Sequence, residues 1–94
     1  MFVFPGEPSW NEAERAVEFA VEVGEYKGRV FVPAALFQHL LGHRPPPEEC
    51  VRIFYLERPR FERLAEERIH ARALDPDANI RLTLRDLVRA KKVS

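Results

Sequence analysis

Residues 54–72 read FYLERPRFERLAEERIHAR, a stretch with the length and periodicity of an amphipathic helix. Its apolar side chains and those just before it recur every three or four positions, which places them on one helical face. They are Val51, Phe54, Phe61, Leu64, Ala65 and Ile69. A proline and two carboxylates, Pro47-Glu48-Glu49, favour a helix start. Pro59 interrupts the backbone hydrogen bonds, but the apolar pattern keeps its phase across it, so we predict one kinked helix ending near Ala73.

The chain before this helix predicts a β-hairpin. From Ala16 to Val23 apolar and polar residues alternate, with Val17 and Phe19 on one face and Glu18 on the other. A turn bounded by two glycines follows at residues 24–28, and residues 29–32 continue as the partner strand.

Shorter segments complete the predicted fold. Residues 2–4 predict an edge strand, and residues 8–11 a turn that folds Trp10 onto the core. We expect Pro33 to begin a helix that Gly42 ends, while Ile80 and Leu82 predict a last short strand. Thr83 to Asp86 has the pattern of a capping box that opens a final helix, with Lys91 and Lys92 near its end. The predicted class is α+β, a two-layer sandwich in the order β-ββ-α-α-β-α, with helices on one face of a small antiparallel sheet.

Length and composition limit this fold to one domain. Ninety-four residues, 46% of them hydrophobic and 32% charged, suit a single globular core over residues 1–94. No segment approaches the about 20 apolar residues that cross a bilayer, so we expect a cytoplasmic protein without membrane contact. The net charge is zero, but the first 50 residues carry four basic and eight acidic side chains, and the remainder carries the opposite excess. Such asymmetry is typical of a protein with an anionic partner or of two halves of one fold that attract each other, and we favour the second interpretation.

The sequence offers no strong reaction centre. His39 and His43 have the spacing of two metal ligands on a helix, but Gly42 lies between them and no third ligand is apparent. Cys50 is the single cysteine, and Glu48 and Glu49 beside it disfavour a thiolate. Neither a phosphate-binding glycine loop nor a nucleophile motif occurs. We therefore expect no enzyme activity, no catalytic residue, no metal and no cofactor.

The arginines of the long helix are the candidates for anion binding. They are Arg58, Arg60, Arg63, Arg68 and Arg72. Such side chains can contact phosphates, yet Glu62 and Glu67 lie four residues after Arg58 and Arg63, as in a salt-bridged helix face. For Arg58 we predict a structural role, in which it pairs with Asp86 or Glu62.

The pattern Phe54-x-x-x-Arg58-x-x-Phe61-x-x-x-Ala65 resembles a family of small bacterial proteins catalogued as domain of unknown function 1488. Other pieces follow in a similar order along nearly the whole chain. They are Phe4-Pro5, Trp10, Ala16-Val17-Glu18-Phe19, Ala35-Leu36 and Leu82-Thr83-Leu84-Arg85-Asp86-Leu87. The resemblance implies a compact two-layer α/β domain and no particular activity. Pro33 and Pro59 depart from the family pattern, which affects the predicted boundaries of elements.

Two functional hypotheses follow. The first is a non-enzymatic interaction or accessory module, with self-association through a strand edge as one route to a homodimer. The alternative is a nucleic-acid-binding regulator that uses the arginine face. The sequence indicates no particular protein partner.

Overall fold

The computed structural model describes residues 1–93, and the side chains of residues 1–89. Within residues 1–93 the chain forms four strands and four helices. In order they are β1 (Ser9–Asn11), β2 (Ala16–Val23), β3 (Tyr26–Pro33), α1 (Ala34–Leu41), α2 (Pro47–Leu56), α3 (Arg58–His70), β4 (Ile80–Arg81) and α4 (Leu84–Val93). The α+β class predicted from the sequence is confirmed.

The sheet has the strand order β1-β2-β3-β4. The predicted hairpin is confirmed, with β2 and β3 antiparallel and Val17 opposite Val32. β4 joins β3 in the parallel sense, with Ile80 opposite Val30. The sheet is therefore mixed and not wholly antiparallel, because the two-residue β4 is reached through the helical crossover that a parallel neighbour requires.

One face of the sheet and the buried faces of the helices form a single core. The fully or almost fully buried side chains from the strands include Val17, Phe19, Val21, Val30 and Val32, and those from the helices include Leu36, Phe37, Phe54, Phe61 and Leu64. Phe54 stacks on Phe61 with ring centroids 5.6 Å apart and contacts Phe19 at 4.9 Å. These aromatic contacts join α2 and α3 to the hairpin.

The first strand lies later than predicted. Residues 2–4 contribute only a bridge between Val3 and Glu22, whereas Ser9–Asn11 pairs with β2. Gly6, with a φ of 76°, redirects the chain between these two segments. Residues 9–11 of the predicted turn therefore form a strand, in which Trp10 pairs with Val17. Three residues are too few for an alternating pattern to indicate a strand in the sequence.

The prediction of one kinked helix is wrong. α2 and α3 are separate helices divided by Glu57, whose φ of −111° and ψ of 16° are not helical. The Glu57 carbonyl accepts the Arg60 N–H at 3.0 Å and so opens α3. Pro59 lies in the first turn of α3, where its missing N–H costs no hydrogen bond. The apolar pattern keeps its phase because a single residue separates the two helices.

Other element ends show how local contacts set boundaries. Pro33 is the last residue of β3 and precedes α1, so it does not occupy the first helical position. Gly42 ends α1 as predicted, with a φ of 82° and its N–H bonded to Gln38 O at 2.8 Å. α3 ends at His70 and not near Ala73, because Arg72 takes the left-handed conformation with a φ of 55°.

The predicted capping box is confirmed at the start of α4. The Thr83 N–H donates to Asp86 Oδ2 at 2.8 Å, and the Asp86 N–H donates to Thr83 Oγ1 at 3.2 Å. The side chains of Lys91 and Lys92 lie outside the described residues.

Candidate interaction surface

Three of the five arginines proposed to bind anions are paired within the chain. Arg58 Nε lies 2.7 Å from Glu62 Oε2, the second of the two partners that the sequence suggested. Arg60 lies 3.4 Å from Glu57, and Arg68 pairs with Asp86. The remaining two, Arg63 and Arg72, are exposed and form no ion pair with the described part of the chain.

Arg68 connects α3 to the end of the sheet and to α4. Its guanidinium lies 2.8 Å from Asp86 and 3.6 Å from Asp75. It also donates to two backbone oxygens, Ala73 O at 2.8 Å and Arg81 O at 3.2 Å. Asp86 was one of the two partners predicted for Arg58, but the Asp86 carboxylate pairs with Arg68.

Arg81 organises a second ionic cluster, on the sheet face opposite the helices. It contacts Glu14 at 3.0 Å, Asp75 at 3.2 Å and Asp77 at 3.2 Å, and its guanidinium lies 5.0 Å above the Phe31 ring. The hydrogen bonds from Arg81 lower the pKa of Asp77 to about 2 and lower that of Glu14 as well. Glu14 lies 67 residues from Arg81 in the sequence, so sequence spacing gave no signal for its part in the cluster.

Tyr26 and Gly28 attach the loop before β4 to the hairpin. The Tyr26 hydroxyl donates to Ala78 O at 2.7 Å, and its ring lies across Gly28. A Cβ at position 28 would come within 2.1 Å of the Tyr26 oxygen, so this crossing requires glycine. Burial raises the pKa of Tyr26 above its ordinary value.

Trp10, predicted to fold onto the core, is partly buried and packs against it. The Trp10 indole N–H donates to Glu12 at 2.9 Å. Asn11, the next residue of β1, donates from Nδ2 to Glu18 Oε1 at 2.8 Å. The bond from Asn11 to Glu18 fastens β1 to β2.

The candidate reactive side chains differ in exposure. Cys50 is fully buried, and burial raises the pKa of its thiol, with a further rise from Glu49. His39 and His43 are both exposed. Among the described residues, no three His, Cys, Asp or Glu side chains are placed to hold a metal ion.

An apolar groove lies between the ends of α1 and α2. It has a volume of about 360 Å³ and is lined by Leu40, Leu41, Arg52, Ile53, Leu56, Glu57 and Arg60. Leu56 is 68% exposed and Leu41 is 36% exposed, so two large apolar side chains face solvent beside arginines. Sequence reasoning missed this groove, because the spacing of leucines within one helix does not show which ends of two helices lie side by side.

The fold and its surfaces define a small two-layer α+β domain with an apolar groove on its helical side. The profile of the family described as "Protein of unknown function (DUF1488)" matches residues 3–82. The chain belongs to this family, as the resemblance in the sequence indicated.

A solved relative shows the same fold. It is a protein of unknown function from the DUF1488 family of Shewanella loihica PV-4, 20% identical in sequence, with a TM-score of 0.78. The similarity covers 86% of this chain and 90% of that one. No curated protein matches the chain.

In residues 1–93, no helix has both the length and the apolar character that spanning a membrane requires.

Proposed function

We propose that this chain is a non-enzymatic interaction or accessory protein that binds another protein through the groove side of its helical layer. The observation that carries the proposal is the exposure of Leu56 and Leu41 around a groove of about 360 Å³. Clustered apolar side chains at the surface of a small domain are typical of protein-binding sites.

The distribution of polar groups supports a role without catalysis. Among the described residues, every buried residue is apolar. In the partly buried residues of the same part of the chain, no buried side-chain nitrogen or oxygen atom lacks a hydrogen-bond partner. Arg68 and Arg81 hold carboxylates in fixed ion pairs, and Cys50 lies in the core with a raised pKa. Enzymes commonly keep titratable groups with perturbed pKa values in a cleft, whereas the ion pairs of Arg68 and Arg81 join elements of the fold.

The nucleic-acid alternative remains a prediction with less support. Arg58, Arg60 and Arg68 would have to leave their internal partners before contacting phosphates. Self-association through a strand edge is also a prediction. β1 pairs with residues 16–18 of β2 and β4 pairs with residues 30–31 of β3, so these two short strands cover only part of the outer edges of the hairpin.

Cross-linking in the native host tests the proposed function. A tagged copy expressed at its normal level is cross-linked in the living cell, purified under denaturing conditions and analysed by mass spectrometry. We expect one heterologous protein to be recovered reproducibly, and recovery to be lost when the Leu41 and Leu56 side chains are both replaced by aspartate. Recovery of no cross-linked protein would contradict the proposal.

A further inference from the structure

Residues 1–5, which we call the edge segment, are held beside β2 as a short strand-like element. Val3 and Glu22 exchange two backbone hydrogen bonds, of 2.9 and 2.8 Å. Phe2 and Phe4 pack against the core, whereas Val3 between them is 50% exposed. This alternation is that of a strand with one face on a core. The edge segment therefore occupies a site on the rest of the domain, which we call the seat.

The seat combines the edge of β2 with side chains of the sheet and α3. Its members are Phe19, Glu22, Arg58 and His70. The Phe4 ring lies 6.0 Å from the Phe19 ring, and the Phe2 ring meets the His70 ring edge-on at 5.3 Å. Arg58 Nη2 donates to Phe4 O at 3.4 Å. None of the seat residues lines the groove between α1 and α2, so the seat is a second surface, independent of the proposed function.

The chain turns away from the seat at Gly6. Its φ of 76° is left-handed, a conformation that glycine adopts without the strain of other residues. Pro5, just before it, has a ring-fixed φ that limits the freedom of the turn. Beyond Gly6 the chain is held again, because Glu7 accepts a hydrogen bond from the Tyr55 hydroxyl. The hinge of the edge segment is therefore confined to residues 5 and 6.

We propose that the edge segment is exchanged between two copies of this chain, so that Phe2 and Phe4 of each copy occupy the seat of the other. The seat fits this occupant, because the same residues fill it within the single chain. Every contact of the edge segment with its seat forms again in the exchanged pair, and the entropy of association is the main opposing contribution. A hinge of two residues that has to turn the chain favours such an exchange. Each copy gives one segment and receives one, which is the reciprocity of a two-fold dimer.

Cysteines at positions 3 and 22 distinguish the exchanged pair from the closed chain. These positions form a hydrogen-bonded antiparallel bridge, in which Cα atoms are about 5.5 Å apart, a separation that a disulfide spans. The variant Val3→Cys/Glu22→Cys is refolded at micromolar or millimolar concentration, oxidised and separated by non-reducing electrophoresis. We expect a bond within one chain at the low concentration and a covalent dimer at the high one.

The control places the cysteines after the hinge. Ser9 and Glu18 are opposite each other in β1 and β2, so Ser9→Cys/Glu18→Cys should form its bond within one chain at both concentrations. The native Cys50 is fully buried, and its thiol is therefore slow to react.

Alanine at position 6 tests the hinge itself. No heavy atom lies within 4 Å of a Cβ built on Gly6, so Gly6→Ala strains the closed backbone without a steric clash. Extension at both hinges of the exchanged pair relieves this strain. We expect the dimerisation constant, measured by analytical ultracentrifugation after equilibration, to rise at least about tenfold.

Gly24→Ala is the matched control for the hinge. Gly24 has a φ of 59° and equally open space for a Cβ, but it lies in the turn between β2 and β3. Its replacement should leave the dimerisation constant unchanged. Circular dichroism of both glycine variants checks that the fold is retained.

Absence of an interchain bond between positions 3 and 22 at millimolar concentration would overturn the inference. A dimer in which this bond stays within one chain would assign the association to another surface and overturn it too. Equal rises in the dimerisation constant for Gly6→Ala and Gly24→Ala would refute the hinge.

Discussion

Replacing Arg68 with alanine removes four polar contacts between α3 and the segments that follow it. The side chains of Arg68 and Asp86 are only 18% and 17% exposed, so their ion pair lies between a surface pair and a buried one. A surface pair contributes at most about 1 kcal/mol, and breaking a buried pair costs about 3–5 kcal/mol. Loss of the hydrogen bonds to Ala73 O and Arg81 O lowers the stability further. The Asp86 carboxylate still accepts a hydrogen bond from the Thr83 N–H in the variant, which limits the cost. We expect the free energy of unfolding to fall by about 2–4 kcal/mol.

Urea and thermal unfolding followed by circular dichroism measure this change. A loss of this size lowers the melting temperature of a domain of this length by roughly 10–25 °C. Arg15→Ala is the control, because Arg15 pairs with Glu12 in an ion pair whose side chains are 58% and 72% exposed. The control should lose less than about 1 kcal/mol. If Arg68→Ala and Arg15→Ala were equally stable, the connection between α3 and α4 assigned to Arg68 would be refuted.

Two further perturbations test other contacts. Gly28→Ala should destabilise the fold by about 1–3 kcal/mol, because the new Cβ displaces the Tyr26 ring and breaks its hydrogen bond to Ala78 O. This loss of stability should largely disappear when Tyr26 is also replaced by alanine. An equal loss in that background would contradict the contact between the Tyr26 ring and Gly28. Arg81→Gln should flatten the acid limb of the stability profile. Asp77 and Glu14 have lowered pKa values in the folded chain, so their contribution is complete above their ordinary values of 3.8 and 4.5 and is lost as the pH falls toward about 2. Unfolding free energies measured across this pH range should fall less in the variant than in the parent, and identical acid limbs would show that Arg81 does not depress these carboxyls.

Local pattern determined the parts of the fold that depend on neighbouring residues. The hairpin follows from strict alternation over residues 16–23 and a glycine turn, and the start of α4 follows from the spacing of Thr83 and Asp86. The hairpin strands depend on the alternating direction of side chains along the chain, and the start of α4 depends on local hydrogen bonding between Thr83 and Asp86.

The features that the sequence did not reveal depend on contacts between distant segments. The apolar periodicity does not reveal the helix break at Glu57, because one non-helical residue barely changes the phase of the apolar pattern between α2 and α3. The parallel sense of β4 depends on where α3 returns the chain. Asp86 attracts an arginine, but whether Arg58 or Arg68 reaches it depends on the turn at residues 71–79.

The groove required the structure for a related reason. Leu40 and Leu41 reach it from α1, whereas Leu56 and Arg60 reach it across the break between α2 and α3. Helical spacing places Ile53, Leu56 and Arg60 on one stripe, but only the folded chain brings the end of α1 beside that stripe.

A photoreactive amino acid at position 56 tests the central claim most directly. The native host produces the protein with this residue at position 56 or, in a parallel strain, at position 74, and both are irradiated in living cells. We expect a discrete adduct with one heterologous protein from position 56 and none from position 74. Adducts of equal yield from both positions, or no adduct from position 56, would contradict the assignment of the groove as the functional surface.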